Sequence, residues 1–375
     1  MRFRTRNMRN STTFPGLVRI LLFRCRKAVK NGIENMYSRS DCDSFVTDID
    51  RVIFIFYNTE KERKRMLMKL LFVEDDQAIA MGLVYTLKKE GYEITAVTNK
   101  GYCLETSSDL LSKEGLATYL PTGFPMERVH LHKVIDSTNN EAKRLAVGGI
   151  PGGIVVLAEE QTGGKGRLGR SFYSPPGSGI YLSVLLRPNT SLEQSVMITT
   201  ATSVCICRAI EAVTGKRCDI KWVNDVYCEG KKICGILTEA VTNVETGSID
   251  SIVVGIGINF KMKPEDFPEE IRGKAGALYE DDTQGVTRNQ LAAAEILELS
   301  KLEEMLESGS YLAEYKRRSI VLGRQVQVVS AGEERAALVE DIDETGGLVV
   351  RWADDNTVGH IRTGEVSIRG LFQNE

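Results

Sequence analysis

The segment Gln161-Thr162-Gly163-Gly164-Lys165-Gly166-Arg167-Leu168-Gly169-Arg170 concentrates chemical capability in ten residues. Four glycines let backbone N–H groups approach an anion closely, and Lys165, Arg167 and Arg170 surround it with positive charge, so the loop suits a phosphate or an acyl phosphate. It follows an apolar run, Val155 to Glu159, that reads as a strand. The pattern Gly-x-x-x-x-Gly-Lys-[Ser/Thr] cannot be threaded through it and no helix is expected before Pro175, which excludes a Walker loop and a Rossmann turn. Taken alone, the same residues also fit a flexible basic surface loop.

Other polar sets flank the loop. Upstream, Asp136-Ser137-Thr138-Asn139-Asn140-Glu141-Ala142 opens a helical pattern, with Ser137 a natural cap and with hydroxyls and amides able to hold a small polar ligand. Downstream come Lys221-Trp222-Val223-Asn224-Asp225-Val226, then Lys231-Lys232-Ile233-Cys234-Gly235-Ile236-Leu237-Thr238-Glu239, then Gly255-Ile256-Gly257-Ile258-Asn259. In isolation Lys231-Lys232 reads equally well as a solvated turn.

The elements that must position these residues are legible as patterns. Ile154 to Glu159, Ile180 to Leu186, Ile233 to Ala240 and Ile252 to Phe260 are strand-like, and Thr138 to Val147, Gln194 to Val213 and Asn289 to Glu307 are helix-like. This order predicts an α+β fold with a mixed or antiparallel sheet faced by helices on one side. After Leu322 five short strands in about fifty residues predict a small closed β-barrel.

Together the five motifs closely resemble biotin protein ligase, from about residue 88 to the C-terminus, with the terminal barrel similar to the family's SH3-like domain. The resemblance implies activation of biotin by ATP to biotinyl-5'-AMP, then transfer to a lysine of a biotin carboxyl carrier protein. It implies that Ser137, Thr138, Asn139 and Gln161 contact the biotin head group, with Gly164, Lys165, Gly166 and Arg167 closing over it. Lys232 would meet the biotin carboxylate and the acyl-phosphate oxygen, making Lys232, Arg167 and Lys221 the expected catalytic set. Lys221 would face the ATP phosphates, Asn224 and Asp225 would help hold Mg²⁺, Asn259 would bond adenine, and Arg170 would hold pyrophosphate or order the loop. Phe172 and Tyr181 are expected as pocket walls. Two departures stand out: Lys165 sits where many members carry Arg, and Val223 where Pro is common, which predicts a looser turn. A ligase that is also an operon repressor, and a lipoate-type ligase of related fold, are the alternatives, although the latter lacks this glycine-rich loop.

The N-terminal region departs most. Residues 68–120 read as a truncated or mosaic region: the strand Lys69 to Val73, the acids Glu74-Asp75-Asp76 and a helical pattern resemble the opening of a receiver domain, without a later phosphoacceptor aspartate. A hairpin across Asn99-Lys100-Gly101 follows and resembles the wing of a winged helix-turn-helix. Because no recognition helix precedes this wing, DNA binding is doubtful. The domains are therefore expected as 1–67, a basic extension without assigned fold; 68–120, the mosaic; 121–321, the catalytic domain; and 322–375, the SH3-like domain.

Composition bounds the rest. With 375 residues, 42% hydrophobic and 26% charged, the chain is of ordinary globular type. The net charge of -3 argues against a polyanion-coating protein, yet residues 1–40 carry ten basic residues against Glu34 alone. That segment fits an organellar presequence, a nucleic-acid arm or translated upstream sequence, with Met36, Met66 and Met68 as later starts. No apolar run approaches the roughly 18 residues of a membrane span, so the chain is not expected to span a membrane. Eight cysteines without a Cys-x-x-Cys pair and only three histidines read as buried thiols in a reducing cytoplasm rather than a zinc site. A homodimer is left open.

Overall fold

The computed structural model describes residues 71–72, 94–97, 101–104, 109–187, 195–242, 249–330 and 333–368, which fall into two compact units divided after Ser108. In the first unit, β1 (Leu71–Phe72), β2 (Ile94–Val97) and β3 (Gly101–Leu104) form an antiparallel sheet in the order β1-β3-β2. The pairing Ile94↔Leu104 through Val97↔Gly101 is the expected hairpin. The receiver-like acids and helical pattern, and the whole basic extension, lie outside the described residues.

The second unit begins with α1 (Lys113–Ala117), capped by the Ser112 side chain. Its centre is a seven-stranded sheet ordered β4-β5-β6-β10-β9-β8-β7. The strands are β4 (Val129–Ile135), β5 (Ile154–Gln161), β6 (Gly179–Leu186), β7 (Asp219–Lys221), β8 (Asp225–Cys228), β9 (Lys231–Thr242) and β10 (Ile249–Asn259). Only β4 and β5 pair in parallel, joined by the crossover helix α2 (Thr138–Val147), so the sheet is mixed as expected.

Strand alternation sorts the two faces. Val155, Leu157, Ile180, Leu182, Val184, Ile252, Val254, Ile256 and Ile258 face the main core, where α3 (Ser195–Thr214) and later helices pack. Most helices thus lie on one face, but α2 lies on the other, packing Ala142 and Ala146 against Ile154, Val156, Leu185 and Val253. Helix α3 corrects the reading that nothing in the chain matches a membrane span: at 20 residues it is long and apolar enough, but two-thirds of it is buried inside the fold. Its Thr199, Thr200, Ser203 and Thr214 hydroxyls are satisfied within the helix, donating back to carbonyls four residues earlier.

After the short α4 (Glu269–Arg272), the long helical pattern from Asn289 to Glu307 resolves into two helices, α5 (Arg288–Leu299) and α6 (Leu302–Ser308). The chain turns at Ser300 and Lys301, which lets Leu302 and Met305 bury beside α3. Helix α7 (Leu312–Arg318) completes the layer. The chain then forms a five-stranded antiparallel sheet ordered β14-β13-β12-β11-β15, consistent with an SH3-like barrel. Its strands are β11 (Gln325–Ser330), β12 (Glu333–Ile342), β13 (Leu348–Trp352), β14 (Val358–Ile361) and β15 (Glu365–Ile368). Trp222 Nε1 donates to Gly346 O at 2.9 Å, tying this sheet to the turn after β7. Cys205, Cys207, Cys218, Cys228 and Cys234 are free and buried, and burial pushes the Cys205 thiol up to about 12.

The buried Arg318 guanidinium bridges Glu211 of α3 and Glu314 of α7, joining two helices through partly buried ion pairs. The Arg318 bonds hold Glu211 below its ordinary value of 4.5; for Glu314, burial pushes upward but the bonds from Arg208 and Arg318 outweigh it. Depressed carboxyl values stabilise the folded state above pH 4.5 and lose that contribution as pH falls through the folded-state values. Arg318→Met should therefore lower the urea midpoint at neutral pH and flatten its decline in acid, measured by fluorescence-monitored denaturation across that range.

Candidate active site

The site forms on the α2 face of the sheet because two strand positions there have no side chain. A Cβ at Gly255 would sit on the Asn139 carboxamide, and one at Gly257 would come within 2.5 Å of the Phe172 ring. Residues Ser183, Gly255 and Leu237 stand side by side on β6, β10 and β9, and the Asn139 amide lies across that row. Its Oδ1 accepts from Ser183 Oγ at 2.6 Å, and its Nδ2 donates to Glu239 Oε2 at 2.8 Å and Leu237 O at 3.3 Å.

Ser137 occupies the N-cap position of α2 with extended backbone, but its side chain makes no capping bond. Gln161 Oε1 instead accepts from Thr138 N at 2.8 Å and from Thr138 Oγ1 at 3.1 Å. The expected cap is thereby corrected: a glutamine from β5 satisfies the first turn, and the buried Ser137 hydroxyl makes no hydrogen bond among the described residues. Gln161 Nε2 donates to Ser174 Oγ at 2.9 Å, fixing the amide from both ends. Thr138, Asn139 and Gln161 thus meet as one polar cluster, beside which Phe172 forms a wall. Tyr181, by contrast, is core: its hydroxyl donates to Pro175 O at 2.8 Å and its ring is buried.

The glycine-rich loop folds over this cluster. Thr162 N and Gly163 N donate to Ile135 O and Asp136 O, Gly166 N to Arg170 O and Phe172 N to Gly164 O. Gly164 packs so closely on Phe172 O and Ser174 Oγ that no Cβ fits there. At the loop tip Leu168 is in the left-handed region at φ 55° and is 71% exposed. The three cations point to different anchors: Lys165 Nζ to Asn140 Oδ1 at 2.7 Å, Arg167 to Asn224 Oδ1 at 2.9 Å and Gly364 O at 3.1 Å, and Arg170 to Glu365 at 2.7 Å.

The other cations come from the β7–β8–β9 corner. Lys232 Nζ lies 2.6 Å from Asp225 Oδ1. Lys221 makes no ion pair among the described residues, and burial lowers its pKa, with Lys232 adding to the shift and Asp225 opposing it. Asn224 is buried, its Nδ2 on Ile236 O at 2.9 Å and its Oδ1 taken by Arg167, so its amide serves as a strut rather than an open cation ligand. The turn at Trp222–Val223, a cis peptide, is not loose: Tyr315 OH donates to Val223 O at 3.2 Å and both turn residues are buried. Asn259 is buried with Nδ2 on Gly276 O at 2.9 Å.

Ser183, Ser174, Asn140, Lys143 and Glu239 were not singled out from sequence, yet they hold the residues that were. For Ser183 a signal existed: a hydroxyl inside the apolar run of β6 must find a partner when buried.

The biotin/lipoate A/B protein ligase family matches residues 131–259. A biotin–[acetyl-CoA-carboxylase] ligase from Paracoccus denitrificans is 30% identical, the match covering 58% of this chain and 91% of that one. A bifunctional ligase/repressor BirA from Bacillus subtilis is 37% identical over 202 residues, 54% of this chain and 62% of its own length, so this chain spans a little under two thirds of that relative. The biotin protein ligase from Aquifex aeolicus, solved with biotin and ATP, is 29% identical and superposes with a TM-score of 0.54 over 64% of this chain and 98% of that one. The fold and these likenesses define the biotin and lipoate protein ligase class. The chain belongs to the biotin protein ligase family.

Gly255→Ala should displace the Asn139 amide and destabilise the fold by about 1–3 kcal/mol. Gly273→Ala, with open space around its Cβ position, serves as the matched control and should change stability little in chemical denaturation.

Proposed function

We propose that the protein activates biotin with ATP and passes the biotinyl group to a lysine of a biotin carboxyl carrier protein. The observation that carries this reading is the convergence on one sheet face of a buried amide–hydroxyl cluster and four cations, Lys165, Arg167, Lys221 and Lys232, around a glycine-rich loop. A cyclic urea presents N–H donors and a carbonyl acceptor, and Ser137, Thr138, Asn139 and Gln161 supply complementary groups.

In the first step a biotin carboxylate oxygen attacks the α-phosphorus, and the bond to the β-phosphate oxygen breaks, releasing pyrophosphate. Two anions must meet, so fixed cations aimed at the developing charge are the main device. Lys232 would leave Asp225 to bind the carboxylate and acyl-phosphate oxygen, while Lys221, its charge already costly in a buried position, would gain a phosphate partner. Arg170 would exchange Glu365 for pyrophosphate, and Asn259 Oδ1 would accept from the adenine amino group. In the second step the neutral carrier amine attacks the acyl carbon, AMP leaves and the amine proton passes to solvent.

Magnesium would neutralise charge on the leaving pyrophosphate. The donor set fits a hard cation held mainly by phosphate oxygens, with Asp225 the available carboxylate; Asn224 is engaged elsewhere.

Biotin-dependent pyrophosphate release by the purified chain, followed by labelling of a carrier domain, tests the reading. Lys232→Ala should fold normally and slow pyrophosphate release by about 10²–10³, the effect of losing one fixed donor to developing charge; near-normal release would remove Lys232 from the mechanism. Arg167→Gly cuts both the Asn224 and Gly364 anchors of the loop. It should release biotinyl-5'-AMP and label unrelated lysines, detectable as streptavidin-reactive bystander protein.

A further inference from the structure

Behind the head-group cluster stand Glu239 and Lys143, which touch no ligand in the proposed reaction. Asn139 and Lys143 lie one turn apart on α2 and both meet Glu239 of β9: Asn139 Nδ2 donates to Oε2 at 2.8 Å and Lys143 Nζ to Oε1 at 2.6 Å. Burial pushes the Glu239 carboxyl upward, but the bonds from Lys143 and Asn139 outweigh it and hold it below its ordinary value, so it is an anion and can only accept.

This fixes the direction of every bond beyond it. Facing a carboxylate, the Asn139 amide must present Nδ2 to Glu239 and Oδ1 to Ser183. Ser183 has one proton and two acceptors within reach, Asn139 Oδ1 at 2.6 Å and Thr138 Oγ1 at 2.8 Å. The amide oxygen draws that proton away from Thr138. The 2.8 Å contact then needs the Thr138 proton, which Thr138 shares between Ser183 Oγ and Gln161 Oε1 at 3.1 Å, the Gln161 amide being held in turn by its bond to Ser174. Thr138 is therefore left with lone pairs only, an acceptor matched to an N–H of the ligand.

We propose that Glu239, held by Lys143, is a positioning residue that sets the donor and acceptor polarity of the head-group pocket and so selects a ring N–H at Thr138. The inference rests on the biotin reading and deepens it.

Glu239→Gln gives an unusual test because Lys143 can only donate. Lys143 would take the new amide oxygen, the amide nitrogen would face Asn139, and Asn139 would reverse, turning Nδ2 toward Ser183 at the cost of its bond to Leu237 O. The Ser183 proton would then go to Thr138 and occupy one of its two lone pairs. Adding Lys143→Met frees the glutamine to turn back.

The experiment measures biotin affinity by titration calorimetry, KM values for biotin and ATP in pyrophosphate release, and thermal unfolding of the full chain. Glu239→Gln should weaken biotin by about tenfold or more, leave the ATP KM within about twofold, and narrow the preference for biotin over an analogue methylated on its ureido nitrogens. The double variant Glu239→Gln/Lys143→Met should recover most of the lost affinity although it has lost a further contact. Unchanged biotin affinity in Glu239→Gln, or a double variant weaker than the single one, overturns the polarity role; equal loss for biotin and the methylated analogue does the same. A wild-type chain that does not bind biotin overturns the ligase reading and this inference with it, and that outcome is distinct because it appears before any variant is made.

Discussion

The site depends on a missing atom. Across β6, β10 and β9 the row Ser183, Gly255 and Leu237 leaves a gap above the middle strand, and the Asn139 carboxamide fills it. An amide lying on a sheet can bond outward only through its ends, so oxygen meets Ser183 while nitrogen meets Leu237 and Glu239. This contact fixes the rotation and height of the first turn of α2, which brings Thr138 to Gln161 at the foot of the glycine-rich loop. Gly257 repeats the device for the Phe172 ring. Two glycines in one strand thus determine where an opposing helix and an opposing loop come to rest.

Sequence patterns revealed the regular elements because these are local. The bounds of α2, from Thr138 to Val147, follow from its periodicity, and the five C-terminal strands from alternation between turns. What stayed hidden was pairing over long separations. Ser137 has every local mark of a capping residue, yet Gln161, 23 residues from Thr138, takes that role, since a strand end in a parallel pair lies beside the start of its crossover helix. Asn224 in a loop reads as a metal ligand, while in the fold its two ends join Arg167 and Ile236. That α2 lies on the opposite face from the other helices is likewise a property of connection, since β5 follows β4 in parallel and the crossover must pass on one side.

The SH3-like sheet belongs to the same unit as the site rather than being an appendage to it. Gly346 accepts from Trp222 in the turn that carries Asn224 and Asp225, and the stretch leading into β15 offers Gly364 O and the Glu365 carboxylate to the loop arginines. The loop is therefore suspended between α2 at Lys165 and the last strand of the chain at Arg170.

Two of the five cations of the site are paired with carboxylates and three have no counterion among the described residues. Lys232 rests on Asp225 and Arg170 on Glu365, while Lys165 and Arg167 rest on neutral oxygens and Lys221 has no ion pair among the described residues. Entry of a polyanion would thus combine an exchange of counterions at Lys232 and Arg170 with the neutralisation of charges that have none. The two carboxylates would act as placeholders for part of the charge, and discrimination would fall to the ligand able to satisfy several cations at once.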